Sequence, residues 1–228
     1  MEPTPARLEA AGMFAIAALA AAIELHDVGA PGHNAEVADL AVAIGVRMGL
    51  DDASLLILAR ASLLHDLGKL GIPSLLLHKS GAPTEAEWDT LKKHPMLGLD
   101  ILSRIGDMDH EKAIILAHHE RLDGSGYPNA LSGGQIPLAA RILAVADSYQ
   151  AMISDRPYRH GLGTKASLAA LDAGRGSAFD PDCVDALTNI IEATQEYQPP
   201  SSANRRTGVH NRRFLGTLER RLQQLAQG

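Results

Sequence analysis

Apolar and polar residues follow a helical rhythm along most of this chain. Between Val37 and Met48 the apolar residues fall at 37, 40, 41, 44 and 48, the spacing of one face of an α-helix. The stretch from Arg7 to Leu25 is rich in Ala, Leu and Ile, and a third helix is expected from about Asp52 to His65. Thr84 and Glu87 form a capping-box pattern that opens another helix. That helix is predicted to end near His94, because Pro95 disfavours a helical residue before it and can itself open the next helix. Further helices fit 109–119, 137–153, 165–173 and 181–196, with Pro137 and Pro181 at first positions and Asp180 as an N-cap. No alternating Val/Ile/Thr run bounded by turns occurs. The pattern predicts an all-α helical bundle without internal repeats.

The rhythm breaks at 199–208, where Pro, Ser, Asn, Gly and Arg read as a linker. Beyond it Leu215, Leu218, Leu222 and Leu225 repeat at 3-4-3 spacing, a two-heptad amphipathic helix. The expected organisation is one domain over 1–198 and a linker with a basic C-terminal helix over 199–228. This helix and the N-terminal helices are the candidate homodimer contacts.

Composition sharpens this reading. The chain of 228 residues is 46% apolar but only 4% aromatic, so aliphatic residues must build the core. Residues 201–228 hold six Arg and one Glu, which leaves −11 on the rest of a chain whose total is −6. An acidic body excludes general binding of nucleic-acid polymers, and it needs local cations to handle an anionic substrate. Cys183 is the only cysteine, and the apolar stretch from Met13 to Ile23 is too short to span a bilayer. Both fit a cytoplasmic protein.

The chemistry concentrates in histidines and aspartates. His65-Asp66 is followed by Lys69, which falls on the face of His65 if the helix continues one turn. His118 and His119 are adjacent, so they can share a metal only if it lies between their directions or the helix end is distorted. His33 shares a face with Val37, Leu40 and Ile44 and should point inward. Asp147 interrupts an apolar run and needs a partner if buried. Together with His94 these make five histidines and two aspartates, a donor set suited to divalent transition metals.

The ordered series His33, His65-Asp66, Lys69, His94, His118-His119 and Asp147 resembles the HD superfamily of metal-dependent phosphohydrolases. The stretch His118-His119-Glu120-Arg121-Leu122-Asp123-Gly124-Ser125-Gly126-Tyr127-Pro128 is more specific and resembles the HD-GYP subfamily, as do Ser154 to Arg159 and Phe179-Asp180-Pro181. The resemblance covers roughly residues 10–197. It implies an HD-type bundle and hydrolysis of cyclic di-GMP to linear pGpG or GMP by a metal-bridging hydroxide. One metal would take His33, His65, Asp66 and Asp147, and the other Asp66, His94, His118 and His119. Iron or manganese is expected first, then nickel, cobalt or zinc. Asp66 and Lys69 would be the catalytic residues.

The resemblance extends to substrate contacts. Lys69, Tyr127, Arg156 and Arg159 would touch the dinucleotide, and Gly124, Gly126 and Pro128 would shape the turn that carries Tyr127. Two departures stand out. Some family members hold a third metal with a Glu four residues before the first ligand histidine, where this chain has Gly29, so two metals are expected. Asp27 could contribute if its loop folds back. Gln150 stands where members usually carry Asp, which weakens the expected support for the ligands. Two competing readings are a cyclic dinucleotide receptor of low activity and a hydrolase for a mixed cyclic GMP-AMP. The input signal would come from a sensor or signalling partner.

Overall fold

The computed structural model describes residues 5–27, 32–106, 108–155 and 160–193. Its helices are α1 (Pro5–His26), α2 (His33–Arg47), α3 (Asp52–Leu64), α4 (Ser74–Leu77), α5 (Glu85–Leu91), α6 (His94–Leu102), α7 (Asp109–Ala117), α8 (Leu138–Ile153), α9 (Thr164–Ala173) and α10 (Pro181–Ala193). Two 3-10 turns, Leu67–Gly71 and Gly133–Gln135, complete the regular structure. No strand occurs among the described residues, only an isolated bridge between Arg175 and Phe179. The all-α expectation holds; the predicted C-terminal helix lies outside the described residues.

Local chemistry sets the helix ends. Asp51 caps α3 by accepting from the Ser54 amide at 2.8 Å, and the Thr84–Glu87 capping box opens α5. The expected end near His94 falls earlier. The Lys92 amide still reaches the Trp88 carbonyl four residues back, but the Lys93 amide turns to Thr90, three back. Helix α5 therefore stops at Leu91, and His94 becomes the first residue of α6 with Pro95 in its opening turn. Pro137 sits one place outside α8, with Leu138 opening the helix. Asp180 accepts from the Asp182 amide at 2.8 Å, as expected of an N-cap, and its other oxygen pairs with Arg141 of α8.

The core runs through α2, α3, α7, α8 and α10. Ile44, Leu58, Leu64, Ile115, Leu143 and Leu187 are fully buried there, and each such side chain contributes about 1.5–3 kcal/mol. Helix α2 packs against both α3 and α8, with His33, Val37, Leu40, Ala41 and Ile44 on its buried face. His33 therefore points inward, as its spacing predicted. The arrangement brings the start of α2, the end of α3, the start of α6 and the end of α7 to one place, against the middle of α8.

The 3-10 turn after α3 lies on α6, and Gly68 makes that approach possible. A Cβ at this position would lie 1.8 Å from the His94 carbonyl oxygen and 2.5 Å from the Gly98 amide nitrogen, both backbone atoms that cannot rotate away. Gly68→Ala is expected to cost at least about 2 kcal/mol, roughly 4–8 °C in Tm. Thermal denaturation checks this; an unchanged Tm would show that the two segments can part without loss.

Candidate metal centre and active site

Each side chain of the centre comes from a different structural position. His33 is the first residue of α2, His94 the first of α6, and Asp147 lies within α8. His65 follows α3 and His118 follows α7 as their C-caps. Helix α7 ends two residues before the expected boundary, and the Glu120 amide bonds back to the Ala117 carbonyl at 3.0 Å. This tightened turn brings the His118 and His119 rings to 4.0 Å between centroids. The distorted helix end that a shared metal required is therefore present.

The side chains form two adjoining groups. His33, His65 and Asp66 offer ligand atoms within 4.8 Å of one another, and so do His94, His118 and His119. Asp66 faces both: its Oδ2 lies 3.3 Å from His65 Nε2 and its Oδ1 lies 3.7 Å from His94 Nε2. Asp147 Oδ1 lies 3.1 Å from His33 Nε2 and 3.8 Å from His65 Nε2. All seven predicted metal residues are thus brought together.

The imidazoles are oriented for ligation. Nδ1 of His65, His94 and His118 lies 2.7, 2.9 and 2.6 Å from the carbonyl oxygens of Ser62, Leu91 and Ile115. A carbonyl only accepts, so Nδ1 carries the proton in each neutral ring and Nε2 turns its lone pair to the cluster. His94 Nε2 and His118 Nε2 then face each other at 3.4 Å. Two lone pairs at that distance repel, and a cation held by both rings would remove the repulsion.

Charge points the same way. Burial and the neighbouring imidazoles hold His118 well below its ordinary pKa, and burial with His94 takes His119 down to about 3. Burial alone would lower His65 too, but the Asp66 and Asp147 carboxylates overcome it and push it up to about 9. Burial likewise disfavours ionised Asp66 and Asp147. Lys69 and His65 hold Asp66 low, while His33 and His65 hold Asp147 low. The neutral imidazoles of His94, His118 and His119 and the ionised carboxylates are the protonation states that a divalent metal needs, whereas His65 would give up its extra proton on binding one.

Lys69 does not sit on an extension of α3. The helix ends at Leu64 and the chain turns through Asp66 into a 3-10 segment. Lys69 Nζ therefore reaches Asp66 Oδ2 at 2.7 Å and Asp27 Oδ2 at 2.8 Å, rather than stacking over His65. Burial works against its charge, yet the two carboxylates raise its pKa overall. Tyr127 stacks on His119 with ring centroids 4.8 Å apart. Asp27, His33, Asp66, Lys69, His119, Tyr127 and Asp147 line one cavity of about 650 Å³. Arg156, Arg159 and Gly29 lie outside the described residues.

Other residues hold the centre in place. Glu120, only a neighbour of the histidine pair in the sequence, is buried and accepts from the Asn129 and Leu131 amides at 2.7 and 3.0 Å. It clamps the loop that carries Tyr127. Gly124 has φ 78°, and Gly126 is needed for close approach, since a Cβ there would lie 2.4 Å from the Arg121 amide nitrogen. Pro128 follows a cis peptide bond. Glu24, a lone carboxylate in an apolar run, accepts from the Gly32 and Asn34 amides and fixes the start of α2. Gln150 donates to Glu36 and to Ser154 Oγ. It ties α8 to α2 one turn beyond the Asp147–His33 pair, so the expected loss of support is not what the structure places there.

The shifted histidines give a pH signature. His119 stays neutral in the fold down to about pH 3, while the unfolded residue takes a proton near 6.5. The unfolded state therefore binds more protons between these values, and metal-free protein loses stability as pH falls from about 6.5 toward 3. Tm measured against pH should show this slope, and His119→Asn should flatten it. Equal slopes would remove His119 from the account.

The HD domain family model matches residues 17–183. The cyclic di-GMP phosphodiesterase response regulator RpfG of Xanthomonas campestris is 43% identical over 171 residues, 74% of this chain and 45% of that protein. A cyclic di-GMP phosphodiesterase of Thermotoga maritima is 36% identical, covering 77% of this chain and 48% of that protein. The 3'3'-cGAMP-specific phosphodiesterase 3 of Vibrio cholerae is 36% identical, covering 76% and 38%. The chain thus spans less than half the length of these curated relatives. Among solved structures, the cyclic GMP-AMP phosphodiesterase V-cGAP3 of V. cholerae aligns with TM-score 0.66 at 17% identity, over 88% of this chain and 52% of that one. An HD-GYP-type protein of Bdellovibrio bacteriovorus, Bd1817, aligns with TM-score 0.60 at 21% identity, over 71% and 52%. These two likenesses are of fold. With the family match extending over most of its length and all the ordered histidines and aspartates gathered at one centre, the chain belongs to the HD domain family.

Proposed function

We propose that this chain is a metal-dependent phosphodiesterase that hydrolyses cyclic di-GMP to linear pGpG or GMP. The observation that carries the reading is the pair of metal-ready groups joined by Asp66 and flanked by Lys69 in one cavity. HD domain proteins are metal-dependent phosphohydrolases, and the relatives named above act on cyclic dinucleotides. His33, His65, Asp66 and Asp147 would hold one divalent ion, and Asp66, His94, His118 and His119 a second. Iron or manganese suits this N/O donor set, as do nickel, cobalt and zinc. Asp27, engaged with Lys69, is left out of the metal set, which favours two ions over three. When bound, the ions supply Lewis acidity that activates water and offsets charge on the phosphate.

The remaining chemistry belongs to the chain. Asp66 would serve as a ligand to both ions, since its two oxygens face the two groups. Lys69, positively charged at the cavity wall, would donate to a non-bridging phosphate oxygen and stabilise charge that grows there. In the metal-free chain Asp66 and Asp27 raise its pKa and keep it an ammonium, so it would serve as an electrostatic donor and could also protonate the leaving group. Tyr127 would be held by His119 against the substrate. Burial, with Asp147 and Asp66, raises its phenol pKa, so it donates as a neutral hydroxyl. Arg156 and Arg159 would reach the far phosphate or a guanine edge. The catalytic unit would occupy residues 1–198, with 199–228 as an appendage that could pair two copies.

No helix among the described residues is long and apolar enough to cross a membrane. The decisive experiment is anaerobic incubation of the full chain with Mn²⁺ or Fe²⁺ and cyclic di-GMP, with products separated by chromatography. Tight binding without linear dinucleotide or GMP would make the protein a receptor. A parallel reaction with mixed cyclic GMP-AMP ranks the two rings, as the V. cholerae relative makes necessary. Asp66→Ala is expected to lose both metal and activity; full metal stoichiometry would remove Asp66 as the joint ligand. Lys69→Ala should keep its metals and lose about 10²-fold or more in turnover, and wild-type turnover would make Lys69 dispensable.

A further inference from the structure

The cavity continues past the histidine cluster, and its far wall is made by α4, α5 and the segment between them. Leu76, Leu77, Trp88 and Leu91 line it there. Neither α4 nor α5 buries a side chain in the core. The apolar residues of this arm are therefore not accounted for by folding. Trp88 is 47% exposed and is the only tryptophan of the chain. It lies one helical turn from Leu91, so both present to the cavity from one face of α5.

The arm is pinned and its charge is satisfied. Lys79 Nζ donates to Glu87 Oε2 at 2.6 Å, and the same carboxylate oxygen accepts from the Thr84 amide at 2.7 Å. Lys79 is thereby matched, and the wall offers an indole and aliphatic side chains where the opposite end offers imidazoles, carboxylates and Lys69. A cyclic dinucleotide is divided in the same way: anionic phosphates, and flat purines that favour aromatic faces. The volume of about 650 Å³ falls in the range of small-ligand sites.

We propose that Trp88 is the stacking platform for one purine base of the substrate, with Leu76, Leu77 and Leu91 around it, while a phosphate of the same molecule lies at the histidine cluster. This assignment rests on the cyclic dinucleotide phosphodiesterase reading. Trp88 is a binding residue here and takes no part in the bond-breaking step. Stacking on one aromatic ring contributes enough that its loss weakens binding by about tenfold to a hundredfold.

A single tryptophan lets the wild-type full chain report directly. Metal-loaded protein is titrated with a hydrolysis-resistant phosphorothioate analogue of cyclic di-GMP. Tryptophan emission is followed alongside equilibrium dialysis, and hydrolysis of cyclic di-GMP is assayed in parallel. Saturable quenching with the dialysis midpoint is expected. Binding by dialysis with unchanged emission overturns the platform and leaves the phosphodiesterase reading standing, whereas absence of both binding and hydrolysis overturns the two together. Trp88→Ala should raise KM about tenfold to a hundredfold with a much smaller change in kcat, and Trp88→Phe should recover most of the loss. An unchanged KM in Trp88→Ala, or a loss confined to kcat, would refute the assignment.

Discussion

Burying Asp66 and Asp147 without partners would cost several kcal/mol for each charge. Both carboxylates nevertheless lie beneath the converging helix ends, within reach of His33, His65 and His94. Here the surroundings are mostly imidazoles, which burial keeps neutral and which cannot all supply positive charge. In the metal-free chain the balance falls to Lys69 and to His65, whose pKa is raised. Divalent cations held by these residues would solve this electrostatic problem more completely, adding positive charge near the carboxylates and relieving the opposed lone pairs of His94 and His118.

Helix termini are an economical way to build such a centre. Three of the histidines use one device: the ring Nδ1 bonds to the carbonyl three residues earlier, at Ser62, Leu91 or Ile115. At the ends of α3 and α7 that carbonyl is one the helix leaves without an amide partner. Before α6 it belongs to the turn left when α5 stops at Leu91. One hydrogen bond then satisfies a backbone group, selects the tautomer and aims Nε2. Gly68 serves the same end differently, by letting the turn after His65-Asp66 press against the first residue of α6.

The helical fold and the gathering of the histidines and aspartates were legible because both leave local marks. The 3.6-residue rhythm gave α2 its buried face, and His33 followed from it. Capping chemistry marked Thr84 and Asp180. What escaped were features that depend on neighbours distant in sequence. Lys69 was read through a helix extended past His65, but the chain turns at Asp66 because the following segment must pack on α6. Asp27 then became its partner from forty-two residues away. Gln150 read as a weakness because only its own position was visible; Glu36, across the α2–α8 contact, accepts from its amide. An Asp at 150 would instead set two carboxylates against each other. Glu120 and Glu24 hold backbone amides, and neither periodicity nor motif spacing marks such a role.

The two ends of the cavity are built by different rules. The histidine and aspartate end is held by carbonyl-fixed rings and glycine-mediated contacts, anchored in α2, α3, α6, α7 and α8. On the phosphodiesterase proposal, side chains fixed in this way would suit in-line attack at phosphorus, where misplacement costs rate. The opposite wall hangs on short helices with no buried residues, pinned chiefly by the Lys79–Glu87 pair and the Thr84 cap. An ion pair this exposed contributes at most about 1 kcal/mol, so the wall can adjust without disturbing the metal ligands. A flat base tolerates such adjustment because stacking depends on overlap more than on one exact hydrogen-bond distance. The division separates what must be rigid from what must accommodate, and on the proposed stacking at Trp88 discrimination between related cyclic dinucleotides would fall to the wall that folding constrains least.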